Sequence, residues 1–150
     1  RSHAVDLTRH HRLEQHFRGW VVRATRDAFD ASVPTFMDFR AGTPAGTGFF
    51  YVLPFSARDA LVEVVTLLPV AAESLRDTYL SEHWGLGPRE LEVVNHEAGV
   101  SLLADGPFRW RDGPCVRRIG LAAGMLKPST GYALTRILED VEALVGTLQA

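Results

Sequence analysis

The sequence predicts an α+β fold, a largely antiparallel sheet with a few helices, and three observations carry that reading. Runs rich in β-branched and aromatic residues are separated by short polar turns through the first half, one stretch of helical spacing follows, and a second closes the chain. With 150 residues, 46% of them hydrophobic, the chain can bury one ordinary globular core.

The elements follow in order. Arg1 to Arg12 is polar and carries no signal-peptide pattern, so residues 1–14 read as a polar entry segment and 15–150 as a single domain. His3, His10, His11 and His16 lack the fixed spacing and cysteine company of metal motifs, and no metal is expected there. Phe17 to Ala24 alternates as a strand, and Val33 to Phe39 makes a second after a turn over Asp27 to Ser32. Ala41 to Gly48 is a Gly, Pro and Thr-rich loop whose glycines lead into a strand rather than a helix. Phe49 to Phe55 and Ala60 to Leu68 are two further strands joined by Ser56-Ala57-Arg58-Asp59.

Ala71 to Trp84 then switches to helical spacing, with Leu75, Tyr79 and Leu80 on one side and Glu73, Arg76, Asp77 and Glu82 mainly on the other. Gly85-Leu86-Gly87-Pro88 ends it, Glu90 to Leu103 returns to strand-like alternation, and Asp105-Gly106-Pro107 turns into a polar loop over Arg109 to Pro114. Val116 to Leu121 reads as a strand, Gly124 as a position where backbone comes close to a ligand, and Ser129 or Thr130 as the cap of a helix running through Ala143. A strand, a tight turn and a helix start suit a phosphate or an anionic ring.

Charge and cysteine content narrow the class. A net charge of −2 with interspersed signs provides no basic field for nucleic acid. The single cysteine, Cys115, rules out an intrachain disulfide and fits a reducing compartment, and no run approaches the length of a spanning helix. These features suggest a cytoplasmic protein.

The segment Ala123-Gly124-Met125-Leu126-Lys127-Pro128-Ser129-Thr130-Gly131-Tyr132 resembles a flavin-contacting motif of the FAD-dependent lycopene cyclases, in particular the bacterial β-cyclases. Further blocks stand in matching order: Gln15-His16-Phe17-Arg18-Gly19-Trp20, Met37-Asp38-Phe39-Arg40, and Gly48-Phe49-Phe50-Tyr51-Val52-Leu53-Pro54-Phe55-Ser56. The resemblance implies the substrate-domain portion of a flavoprotein-monooxygenase-like fold. It also implies redox-neutral closure of the ψ-ends of lycopene to β-rings with reduced FAD, NAD(P)H being the reductant. Gly124, Met125, Lys127, Pro128, Ser129, Thr130, Gly131 and Tyr132 are then the flavin-contacting residues. The strand, Gly-x-Gly-x-x-Gly and helix that hold the rest of FAD in such enzymes do not occur, so the chain reads as a cyclase fragment whose partner is a missing N-terminal FAD-binding half. An insoluble polyene substrate further implies peripheral contact with the inner face of the membrane.

Glu63 is the preferred acid, because a carboxylate inside the apolar strand Leu61-Val62-Glu63-Val64-Val65 is unusual and low dielectric keeps such a group protonated; the other reading is a strand glutamate on the solvent face. The family pattern places a second acid beside it, where this chain has Val64. Glu97, in a Glu-x-Gly-Val segment, is the second catalytic candidate, and it faces either the site or a sheet-edge ion pair. Asp38 either polarises the substrate end or pairs structurally, and Lys127 would stabilise an anionic flavin or point to solvent. Phe36, Phe39, Phe49, Phe50, Tyr51 and Phe55 line a polyene tunnel or fill the sheet core. Two other readings stay open: a redox flavoprotein of the geranylgeranyl-reductase or halogenase type, and a non-catalytic binder of apolar ligands.

Overall fold

The computed structural model describes residues 10–40, 42, 48–106 and 108–149. His3, most of the Ala41 to Gly48 loop, most of the entry segment and Pro107 of the expected turn lie outside them. Five strands form one sheet: β1 (Arg12–Ala24), β2 (Thr35–Asp38), β3 (Gly48–Pro54), β4 (Asp59–Thr66) and β5 (Leu91–Ala104), in the spatial order β2-β3-β4-β1-β5. Helix α1 (Ala72–Trp84) lies between β4 and β5 in sequence, and α2 (Leu134–Gln149) ends the chain. The expected α+β class with a largely antiparallel sheet is therefore the observed one.

The chain divides into two compact units, Glu14–Ser101 and the remainder, Arg1–Leu13 with Leu102–Ala150. In the first, alternation along the strands sorts side chains onto two faces. Trp20, Val22 and Ala24 of β1, Phe50 and Val52 of β3, and Ala60, Val62 and Val64 of β4 point to one face and are buried with Tyr79 and Leu80 of α1. Phe50 and Tyr79 stack with centroids 4.1 Å apart and planes 6° from parallel. The helix stops at Gly85, whose φ of 61° is the left-handed conformation that terminates helices. Leu86 follows fully buried, its N–H donating to the Leu80 carbonyl at 3.0 Å, so the stop also locks the helix end into the core.

Tyr79 also explains Asp38. Its hydroxyl donates to Asp38 Oδ2 at 2.8 Å, and Arg40 closes a bidentate pair on the same carboxylate, Nη2 to Oδ2 being 2.5 Å. The Arg40 guanidinium holds the Asp38 carboxyl well below the usual carboxylate range, while burial first, and then Asp38, push Tyr79 up to about 12. Asp38 thus anchors β2 on α1, the structural pairing that its sequence reading offered. Met37, at φ 51°, takes the left-handed backbone that turns Asp38 inward across the irregular β2–β3 register.

The second unit departs from the sequence expectation. Val116 to Leu121 is no strand: an isolated bridge joins Arg111 to Arg117, and a single 3₁₀ turn covers Gly120–Ala123. Gly120 at φ 59° and Gly124 at φ 70° break extended backbone on both sides of Leu121. Nor do Ser129 and Thr130 cap a helix. The N–H groups of Thr130 and Gly131 both donate to the Lys127 carbonyl, a closed turn ended by Gly131 at φ 74°, and α2 begins only at Leu134. Arg117 and Asp140 form an ion pair within this unit that ties its loop to α2.

Candidate active site

On the sheet face opposite α1 the register builds an ordered lattice of side chains. Glu63 of β4 stands across from Tyr51 of β3 on one side and Gly19 of β1 on the other. The adjoining rows are Leu53, Leu61 and Val21, and Phe49, Val65 and Phe17. Glu63 is therefore the acid in the middle of its strand, set among apolar and aromatic neighbours, while Asp59 stands at the strand's start. Val64, which stands where the family pattern has a second acid, points to the α1 core and is buried.

The second carboxyl arrives from another strand. Glu97 of β5 bonds to Glu63 through its side chain, and the two candidates picked from sequence are brought together by the fold. Burial chiefly, then the charge of Glu97 and the shared hydrogen bond, push Glu63 up to about 7. A carboxyl whose pKa is lifted to about 7 beside a second carboxyl can donate a proton near neutrality and recover it afterwards.

That raised value has a consequence for stability. Between its ordinary value of 4.5 and about 7 the folded protein holds a proton that the unfolded chain has released. Stability therefore declines as pH rises through that window and stays reduced above it. Glu63→Gln carries no such charge, so its stability relative to the parent improves from about pH 5 to about pH 8, by on the order of 2 kcal/mol in urea melts at the two values.

Aromatic rings extend the platform across β2 and β3. Phe36 meets Tyr51 at 5.6 Å, Tyr51 meets Phe49 at 5.1 Å, and Phe49 meets Phe39 at 5.4 Å, all edge to face. Phe36 and Phe39 are more than half exposed, whereas Phe50 belongs to the α1 core and Phe55 points to solvent. At the β1–β5 boundary, a Cβ on Gly99 would sit 2.4 Å from Phe17 Cζ, so the glycine is the seat of that ring. Gly99→Ala must displace Phe17, and we expect a loss of about 1–3 kcal/mol, read from the denaturation midpoint.

The flavin-type segment is mixed. Gly124 is no open cradle, because a Cβ there would fall 2.1 Å from the Phe108 ring that already covers it. Met125 and Leu126 are buried. Lys127, Pro128, Ser129 and Tyr132 are exposed, Thr130 and Gly131 half-buried, and the Thr130 hydroxyl accepts from the Tyr132 N–H at 3.4 Å. An ammonium and two hydroxyls around one turn are a donor set suited to an anionic group. Sequence reasoning missed the Tyr79–Asp38 link, which no local pattern reveals, and the place of Gly19, for which a glycine inside an alternating strand was the available signal.

Comparison with known proteins decides the family. Residues 3–149 match the family described as "Lycopene cyclase protein". The chain belongs to the lycopene cyclase family. It is 32% identical over 119 residues to a protein named "Lycopene beta-cyclase" from Pseudescherichia vulneris, a match covering 75% of the chain and 31% of that relative's length. The chain thus spans about a third of the curated lycopene cyclase it matches.

Proposed function

We propose that the protein acts in the redox-neutral cyclisation of the ψ-ends of lycopene to β-ionone rings. The observation that carries this reading is Glu63, half-buried at the centre of an apolar and aromatic sheet face, its carboxyl pushed up to about 7 by burial first and then by Glu97 beside it. A polyene has no polar handle, so recognition must come from apolar and π contact, and the Phe36, Tyr51, Phe49 and Phe39 row supplies it.

Glu63 delivers its proton to the terminal double bond, the electron pair of the neighbouring double bond closes the six-membered ring, and a ring cation results. Tyr51, directly across from Glu63, offers π-electron density to that cation. The pair of carboxylates left by donation is a stronger base than either alone, and it takes back a proton from the ring carbon, restoring Glu63 and leaving a product isomeric with lycopene. Reduced FAD, with NAD(P)H as reductant, is the cofactor of this reading; Lys127, Ser129 and Thr130 would hold it, and it would supply negative charge where it binds.

Among the described residues no helix is long and apolar enough to cross a membrane. Peripheral contact is part of the proposal, supported by the exposed stripe Leu134, Leu138, Val141, Val145 and Leu148 on α2. Flotation with liposomes tests it, and a protein that stays at the bottom of the gradient contradicts it. The function itself is tested by chromatography and mass spectrometry of carotenoids from lycopene-accumulating bacteria that express the protein. A cyclic product of lycopene's mass supports cyclisation; a product differing by hydrogens supports a redox flavoprotein instead, and unchanged lycopene bound to the protein supports a binding module.

A further inference from the structure

We propose that Gly19 is the positioning residue of the carboxyl pair: the missing side chain at the middle of β1 is what allows Glu97 to reach across that strand to Glu63. The inference rests on reading this sheet face as the cyclisation site, and it assigns a role to a residue that touches neither substrate nor proton.

The two acids do not come from adjacent strands. β1 lies between β4 and β5, so Glu63 and Glu97 start from backbones about 10 Å apart, twice the strand spacing. Side chains on a sheet stand roughly perpendicular to it, and one rooted between the two acids would occupy the path by which they meet. Gly19 is rooted there, directly across from Glu63. A Cβ on Gly19 would lie 3.0 Å from both Cγ and Oε1 of Glu97 and 3.1 Å from Leu61 Cδ1. Glu97 thus lies over the bare glycine, flanked by Leu61.

Backbone conformation gives no other reason for glycine at this place. Among the described residues the glycines with positive φ are Gly85, Gly113, Gly120, Gly124 and Gly131, and Gly19 sits in ordinary strand pairing with β4. Glycine inside a strand weakens it, and its use marks a close approach by another group. Here that group is the Glu97 side chain.

The surroundings make Glu97 the group whose displacement matters. From β3, Tyr51 faces Glu63; on β4 its same-face neighbours are Leu61 and Val65; on β1, Phe17 and Val21 flank Gly19; and β5 contributes Glu97. At the end of the face Arg23 and Asp59 are engaged with each other at 2.7 Å. Between Leu61, seated in its own row, and a flexible exposed glutamate, a methyl at position 19 dislodges the glutamate.

The test is an infrared titration of the Glu63 carboxyl in the protein, its band assigned by loss in Glu63→Gln, repeated in Gly19→Ala, Glu97→Asp and the double variant. Glu97→Asp shortens an exposed side chain so that it no longer crosses the strand, and it keeps the test decisive if Gly19→Ala does not fold. We expect the midpoint to fall by about one pH unit in each single variant. The double variant falls no further than the larger of the two, because both changes remove the same contact. A midpoint in Gly19→Ala or Glu97→Asp equal to the parent's, or falls that add in the double variant, overturns the inference. Carotenoid conversion is scored separately: shifted midpoints in a protein that cyclises nothing uphold the role of Gly19 and overturn the functional reading. Unshifted midpoints in an active cyclase do the reverse.

Discussion

Glu63→Gln lowers cyclisation about a thousand-fold while leaving the protein folded and able to bind lycopene. Glutamine has the shape of the acid and keeps a donor toward Glu97, and the Tyr51, Leu61 and Val65 neighbours are unaffected, so the platform persists. What disappears is the transferable proton, and positioned general acids contribute about a hundred- to ten-thousand-fold. Glu97→Gln retains the acid and removes the charge that helps keep it protonated, so the loss is smaller, about tenfold, and the alkaline limb of the pH–rate profile moves to lower pH. Initial rates with reduced flavin present and a binding titration with lycopene separate these effects, since a general collapse of the site would lower binding as well.

Tyr79→Ala destabilises the fold more than any change on the Glu63 face. It removes a fully buried ring stacked on Phe50 and leaves the buried Asp38 carboxylate without its hydroxyl donor. Truncation of a buried aromatic costs about 3–5 kcal/mol, enough to unfold a domain of ordinary stability. Tyr79→Phe keeps the stack and loses only the hydrogen bond, a cost of about 1–2 kcal/mol, since Arg40 still holds Asp38. Urea midpoints of the two variants give the comparison, and near-equal losses would show that the hydroxyl, not the ring, is the anchor.

Much of the first unit was legible because alternation in β3 and β4 is regular: Phe50, Val52, Val62 and Val64 turn one way and Tyr51, Glu63 and Val65 the other. A carboxylate among valines stood out for the same reason. That Glu97 meets it was not legible, since contact across an intervening strand depends on strand order and on the space above Gly19, neither of which is local. β5 shows the limit of alternation as a signal, because Glu92 to Ala98 is exposed throughout and strand pairing alone keeps it extended. The strand expected over Val116 to Leu121 failed on its glycines. Gly120 and Gly124 take left-handed conformations that an apolar run by itself does not announce, and the Lys127–Gly131 turn delays the helix to Leu134. At Gly124 the expected space for a ligand is filled from within the chain by Phe108, a neighbour that sequence separation conceals.

The most direct measurement of the central claim, proton-initiated ring closure, is mass spectrometry of the product formed from lycopene in deuterated water. A carboxyl that exchanges with solvent delivers a deuteron to the terminal double bond, and the proton lost afterwards comes from a different carbon. The expected product therefore carries one deuterium for each ring formed and is otherwise isomeric with lycopene, and Glu63→Gln yields no such product. A ring-bearing product without deuterium, or equal labelled product from the Glu63→Gln protein, would contradict it.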